Sequence, residues 1–181
     1  MNRAFRISIL IALVLLLAAP QVSLARKKLV DAEGNPLALK MIGRSYEDLT
    51  EVFGKPDRTL FDAEDRICSF FAKGFIAFVH REYDEVDRVV LTTFADGQRF
   101  EGRFQGVRLG DHYLSCQGRW GFPESKDEQP DQWYDVYRWK VEGYPVEVQI
   151  WNRTADDPNF GYVKNLTVKR IEVRRKRERW E

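Results

Sequence analysis

The chain has 181 residues, and its 29 Lys and Arg against 28 Asp and Glu leave a formal net charge of +1. So even a balance excludes a dedicated nucleic-acid binder, which carries a strong basic excess. Hydrophobic residues make up 44% and aromatic residues 13%, enough for a packed core without disulfide or metal staples.

In chain order, Arg3 and Arg6 precede an apolar run from Ile7 to Pro20, and Ser23-Leu24-Ala25 supplies small residues for cleavage. This is the pattern of an export signal, residues 1–25, cut after Ala25. The run is short of the roughly 20 apolar residues that span a bilayer. Removing Arg3 and Arg6 leaves 27 basic against 28 acidic residues, a net charge of −1 for a mature chain starting at Arg26. Residues 26–40 form a lead-in with turn chemistry at Asp31 to Pro36.

A repeat then organises the chain. Ile42-Gly43-Arg44-Ser45-Tyr46 is followed by Phe53-Gly54-Lys55-Pro56. Leu109-Gly110-Asp111-His112-Tyr113 is followed by Trp120-Gly121-Phe122-Pro123, so that Gly43, Tyr46, Gly54 and Pro56 fall on Gly110, Tyr113, Gly121 and Pro123. Such recurrence points to two copies of one unit, residues 41–94 and 107–173, joined by 95–106 and followed by a basic tail, 174–181. Ser45 suits a helix N-cap with Asp48 three residues on, and Leu49, Val52 and Phe53 give one apolar face. Gly54 and Pro56 end that helix. Asp111 or His112 starts the second, which Gly121 and Pro123 end.

Three strands are expected after each helix: 67–72, 75–79 and 86–94, then 134–141, 145–151 and 163–173. The expected fold is α+β: two tandem repeats, each a short helical segment and a three-stranded antiparallel meander, with the helices on one sheet face. Alternation places Tyr137, Trp139, Val141, Val146, Val148 and Ile150 toward the helix, and Arg138, Lys140 and Trp151 away from it. In the first repeat Phe71 and Phe78 are expected on the outward face. Cys68 and Cys116 fall in different repeats. After export they are candidates for a disulfide between repeats, and two buried thiols are the alternative.

An apolar residue and Gly, a short helix, aromatic-Gly-x-Pro, then strands resembles the BamE-like and β-lactamase-inhibitory-protein-like fold group. The likeness rests on Ile42-Gly43, Phe53-Gly54-Lys55-Pro56, Leu109-Gly110-Asp111 and Trp120-Gly121-Phe122-Pro123. It implies a protein-binding sheet. The chain departs from the group in having no lipoprotein cysteine at the cleavage site and no disulfide pair within a repeat.

No catalytic constellation, metal-ligand spacing or phosphate loop is visible, and His80 and His112 are the only histidines. The expectation is a non-enzyme without cofactor or metal, exported to the periplasm or medium. It binds another extracytoplasmic protein through its sheet surface, with Phe71, Phe78, Arg138, Lys140 and Trp151 as partner-binding candidates. Nucleic acid is not an expected partner, and the membrane is one only through peripheral contact of the basic tail. Oligomeric state is open. Two alternatives are an inhibitor of a secreted hydrolase, and a small-ligand protein or enzyme with a cleft between the repeats.

Overall fold

A computed structural model describes residues 30–31, 34–129, 133–151, 154–157, 161–164 and 166–176. The expected export signal, residues 1–25, and the end of the basic tail, 177–181, lie outside the described residues. Ser45 starts helix α1, Tyr46–Phe53, with a complete capping box: Asp48 N–H donates to Ser45 Oγ at 3.1 Å, and Ser45 N–H donates to the Asp48 carboxylate at 3.2 Å. His112 caps helix α2, Tyr113–Trp120, its Nδ1 accepting from Leu114 N–H at 3.2 Å. Gly54 and Gly121, with φ of 78° and 79°, close the two helices.

The strands in chain order are β1 (Arg58–Phe61), β2 (Asp65–Phe70), β3 (Phe75–His80), β4 (Glu85–Leu91), β5 (Ser125–Asp127), β6 (Tyr134–Val141), β7 (Tyr144–Trp151), β8 (Thr154–Asp157), β9 (Gly161–Lys164) and β10 (Val168–Arg174). Eight of them form one sheet in the order β1-β2-β3-β4-β10-β7-β6-β5, antiparallel throughout, while β8 and β9 pair as a separate hairpin.

This overturns the expected fold class. The chain is not two helix-plus-three-strand repeats but one continuous eight-stranded sheet with two short α-helices among the described residues, more sheet-dominated than α+β. The reason lies at the last strand of each expected meander. A strand left at an edge exposes a row of unpaired N–H and C=O groups. Here β4 and β10 remove both edges by pairing with each other, Leu91 opposite Ile171, Val90 opposite Glu172 and Val89 opposite Val173. Each half also gains a fourth strand, β1 or β5. Both are wholly exposed, so no apolar alternation marks them.

The repeated turn is nevertheless visible in the backbone. Gly43 N–H donates to Val86 O and Val86 N–H to Arg44 O, both at 2.8 Å, and Gly110, Val168 and Asp111 make the same two bonds at 2.8 Å. With Val86 and Val168 as counterparts, Val89, Val90 and Leu91 correspond to Ile171, Glu172 and Val173. The β4–β10 pairing is then symmetric about Val90 and Glu172.

The core lies on one side of this sheet. Phe70, Phe75, Ala77, Val79, Val89 and Leu91 from one half, and Tyr137, Trp139, Val146, Val148, Ile150, Ile171 and Val173 from the other, meet Leu49, Phe53 and Cys116 from the helices. Phe100 and Phe104 of the joining segment, and Val107 just after it, add to the same side. Phe70 and Phe75 stack at 4.6 Å with Phe53 edge-on to Phe75 at 4.9 Å, and in the other half Trp120 stands edge-on to Trp139 at 5.6 Å. The indole N–H of Trp139 donates to Gly121 O at 3.0 Å and that of the partly buried Trp120 to Gln105 O at 3.2 Å, so neither donor is wasted.

Cys68 and Cys116 are both buried and free, with no disulfide between the halves. Burial pushes the Cys68 thiol up to about 11 and that of Cys116 to about 12, so both behave as small hydrophobes rather than nucleophiles.

Candidate functional site

Among the described residues the helices and the joining segment pack on one side, and the other side of the sheet is left to its own side chains. Period-two alternation assigns them: Asp65 and Ser69 on β2, Ile76 and Phe78 on β3, Arg88 and Val90 on β4, Arg170, Glu172 and Arg174 on β10, Glu147, Gln149 and Trp151 on β7, Tyr134, Val136, Arg138 and Lys140 on β6.

Charges of alternating sign cross this face as a ladder. Arg88 reaches Asp65 at 3.0 Å and Glu172 at 3.8 Å. Glu172, only 3% exposed, accepts from Arg170 at 2.6 Å and Arg174 at 2.8 Å. Arg174 reaches Glu147 at 4.0 Å, Glu147 pairs with Arg138 at 3.3 Å, and Arg138 reaches Asp127 at 3.9 Å. Four arginines and four carboxylates thus balance from β2 to β5. Glu172 stands at the centre of the β4–β10 seam with three guanidinium groups around it. A carboxylate so far from water is tolerable only because it is paired and hydrogen-bonded.

Two aromatic–cation clusters flank the ladder. Arg88 lies 3.9 Å from the Phe78 ring centroid. Lys169 sits where the β7–β10 register shifts, 4.2 Å from the Tyr134 ring and 4.4 Å from the Trp151 ring, with those two rings on paired residues. Burial and the neighbouring Arg170 push the Lys169 pKa down.

Of the residues expected to bind a partner, Phe78, Arg138, Lys140 and Trp151 all lie on this face. Arg138 and Lys140 are exposed, Phe78 and Trp151 half-buried beneath their cations. Phe71 does not join them. It begins a 3-10 turn, Phe71–Lys73, that ends the strand at Phe70, and its ring packs edge-on to Phe94 at 4.8 Å. The left-handed Gly74 closes that turn where a tight hairpin was expected. Tyr134 and the Arg88–Glu172 centre were not singled out from sequence. The alternation in β10 placed Arg170, Glu172 and Arg174 on one face, a signal masked by the basic tail that follows. His80 stacks on Tyr83 at 4.7 Å and His112 serves as a helix cap. Among the described residues, no group of three or more His, Cys, Asp or Glu is arranged to hold a metal ion.

No protein-family model matches the chain, and no curated protein is significantly similar to it. Among solved structures, a DUF4309 family protein from Bacillus subtilis is similar at a TM-score of 0.47 and 14% identity, over 84% of this chain and 93% of that one. A cysteine-rich secretory protein from Staphylococcus aureus is similar at a TM-score of 0.45 and 15% identity, over 76% of this chain and 44% of that one. At these scores neither likeness fixes a fold class or a function.

Proposed function

We propose that this chain is an exported, non-enzymatic protein-binding protein that presents the open face of its sheet to an extracytoplasmic partner. The observation that carries this reading is the face itself: a neutral ladder of alternating charges, flanked by Phe78–Arg88 and by Tyr134–Trp151–Lys169. Aromatic and arginine side chains are what binding hot spots are made of. The alternation of sign suits a protein surface of mixed charge. Export rests on the pattern of residues 1–25.

The test is affinity capture from envelope and medium of the source cell with the mature chain as bait, repeated with Trp151→Ala, Phe78→Ala and Arg138→Glu. Binding through this face predicts that one recurrent protein is lost with each variant while the melting temperature of the bait stays near that of the parent. Retention of that protein by all three variants refutes the assignment of the face.

A further inference from the structure

A cleft of about 210 Å³ opens on the helix side, where the lead-in and the joining segment meet the β6–β7 turn and β10. Leu39, Phe104 and Tyr144 give it apolar walls, and Asn35, Gln105 and Glu142 bring polar groups to it. Its volume is below the roughly 300–1,000 Å³ of pockets for drug-sized ligands, so its occupant is no larger than an amino acid or a short side chain.

Two features set this cleft apart. The first is backbone strain. Among the described residues three that are not glycine have left-handed φ, and two of them, Gln105 at 44° and Glu142 at 51°, line the cleft. Glu142 occupies the β6–β7 turn ahead of Gly143, where asparagine or aspartate would sit with less strain. Strain of this kind persists where the surroundings enforce it and gathers at binding sites. The second is charge. Asp31 and Lys40 answer each other at 3.2 Å, whereas among the described residues the exposed carboxylate of Glu142 has no hydrogen bond or ion pair. Beside it, the chain's own Lys176 places its ammonium 4.4 Å from the Tyr144 ring centroid, so that ring already holds a cation.

We propose that this cleft binds an organic amine, an ammonium group on a short apolar body. Glu142 takes the ammonium, Tyr144 offers its ring to the cation, and Leu39 and Phe104 hold the body. The amine is either a free small molecule or a lysine side chain on a partner.

Calorimetric titration of the mature protein with phenethylamine and with the neutral isostere 2-phenylethanol tests it. A charge-assisted contact predicts that the amine binds at least about tenfold more tightly than the alcohol. Glu142→Gln brings the two within about threefold of each other. Glu142→Asn removes the same preference while raising the melting temperature, because asparagine accepts left-handed φ, so loss of binding there is not loss of fold. Lys176→Met removes the competing ammonium and strengthens amine binding. A lysine-containing peptide that binds where phenethylamine does not assigns the site to a partner's side chain, and the reverse assigns it to a free amine. Equal binding of amine and alcohol, no binding of phenethylamine or the peptide, or an amine preference that survives Glu142→Gln overturns the proposal.

Discussion

Glu172 is where the seam between the two halves is most vulnerable. Glu172→Ala leaves Arg170, Arg174 and Arg88, now 2.6, 2.8 and 3.8 Å from its carboxylate, without their central counter-charge. Breaking a fully buried ion pair costs about 3–5 kcal/mol. The three arginines keep between 26% and 47% of their side-chain surface in water, so part of that loss is recovered by hydration. About 2–4 kcal/mol remains, a sizeable fraction of the roughly 5–15 kcal/mol that holds a domain folded. At about 2–4 °C per kcal/mol for a chain of this size, the melting temperature falls by about 5–15 °C. Urea unfolding followed by tryptophan fluorescence measures it, with a lower midpoint at an unchanged slope. Glu172→Gln keeps the volume and one acceptor and loses about half as much. A loss below about 0.5 kcal/mol, the range of ordinary surface substitutions, would show that the arginine centre does not secure the β4–β10 seam.

Gly74→Ala destabilises by about 2 kcal/mol or more, since its Cβ would lie 1.9 Å from Phe100 N and its φ is +72°; circular-dichroism melting reads it, with Gly97→Ala, open on all sides but equally left-handed, as the milder control. Cys68 and Cys116 resist thiol reagents in the native protein at pH 8 and react at once in denaturant. Because folding raises both thiol pKa values from 9.0, the stability they contribute is complete below pH 9 and is lost as pH rises toward 11 and 12, which thermal melts across that window will register. Leu114→Glu together with Phe122→Lys leaves stability within about 0.5 kcal/mol and raises solubility, because both side chains are exposed, at 62% and 81%. Those substitutions copy Glu47 and Lys55, which hold the matching positions of the first repeat.

The helix signals were legible because they are local. Ser45 with Asp48, and Gly54 or Gly121 before a proline, carry their chemistry within a few residues. The helix-facing strands β6 and β7 were legible because Tyr137, Trp139, Val146 and Val148 alternate cleanly with polar residues. The overall architecture was not, because it is decided by a long-range pairing. Nothing in Val89 to Leu91 or Ile171 to Val173 says that these strands meet each other rather than ending separate sheets. Edge strands β1 and β5 have no buried face to imprint a pattern. Phe71 was misplaced by one feature: the chain leaves the strand after Phe70 for a 3-10 turn, and an aromatic run gives no warning of it. Four of the five partner-binding candidates still share a face, since the register elsewhere followed the alternation.

Hydroxyl-radical footprinting of the protein with its captured partner tests most directly whether the open sheet face is the binding surface. Protection of Trp151, Tyr134 and Phe78, with Leu114 and Phe122 on the helix side still oxidised, is the outcome expected of binding through that face. Protection of Leu114 and Phe122 with Trp151 and Tyr134 unchanged would move the interface to the helix side and contradict it.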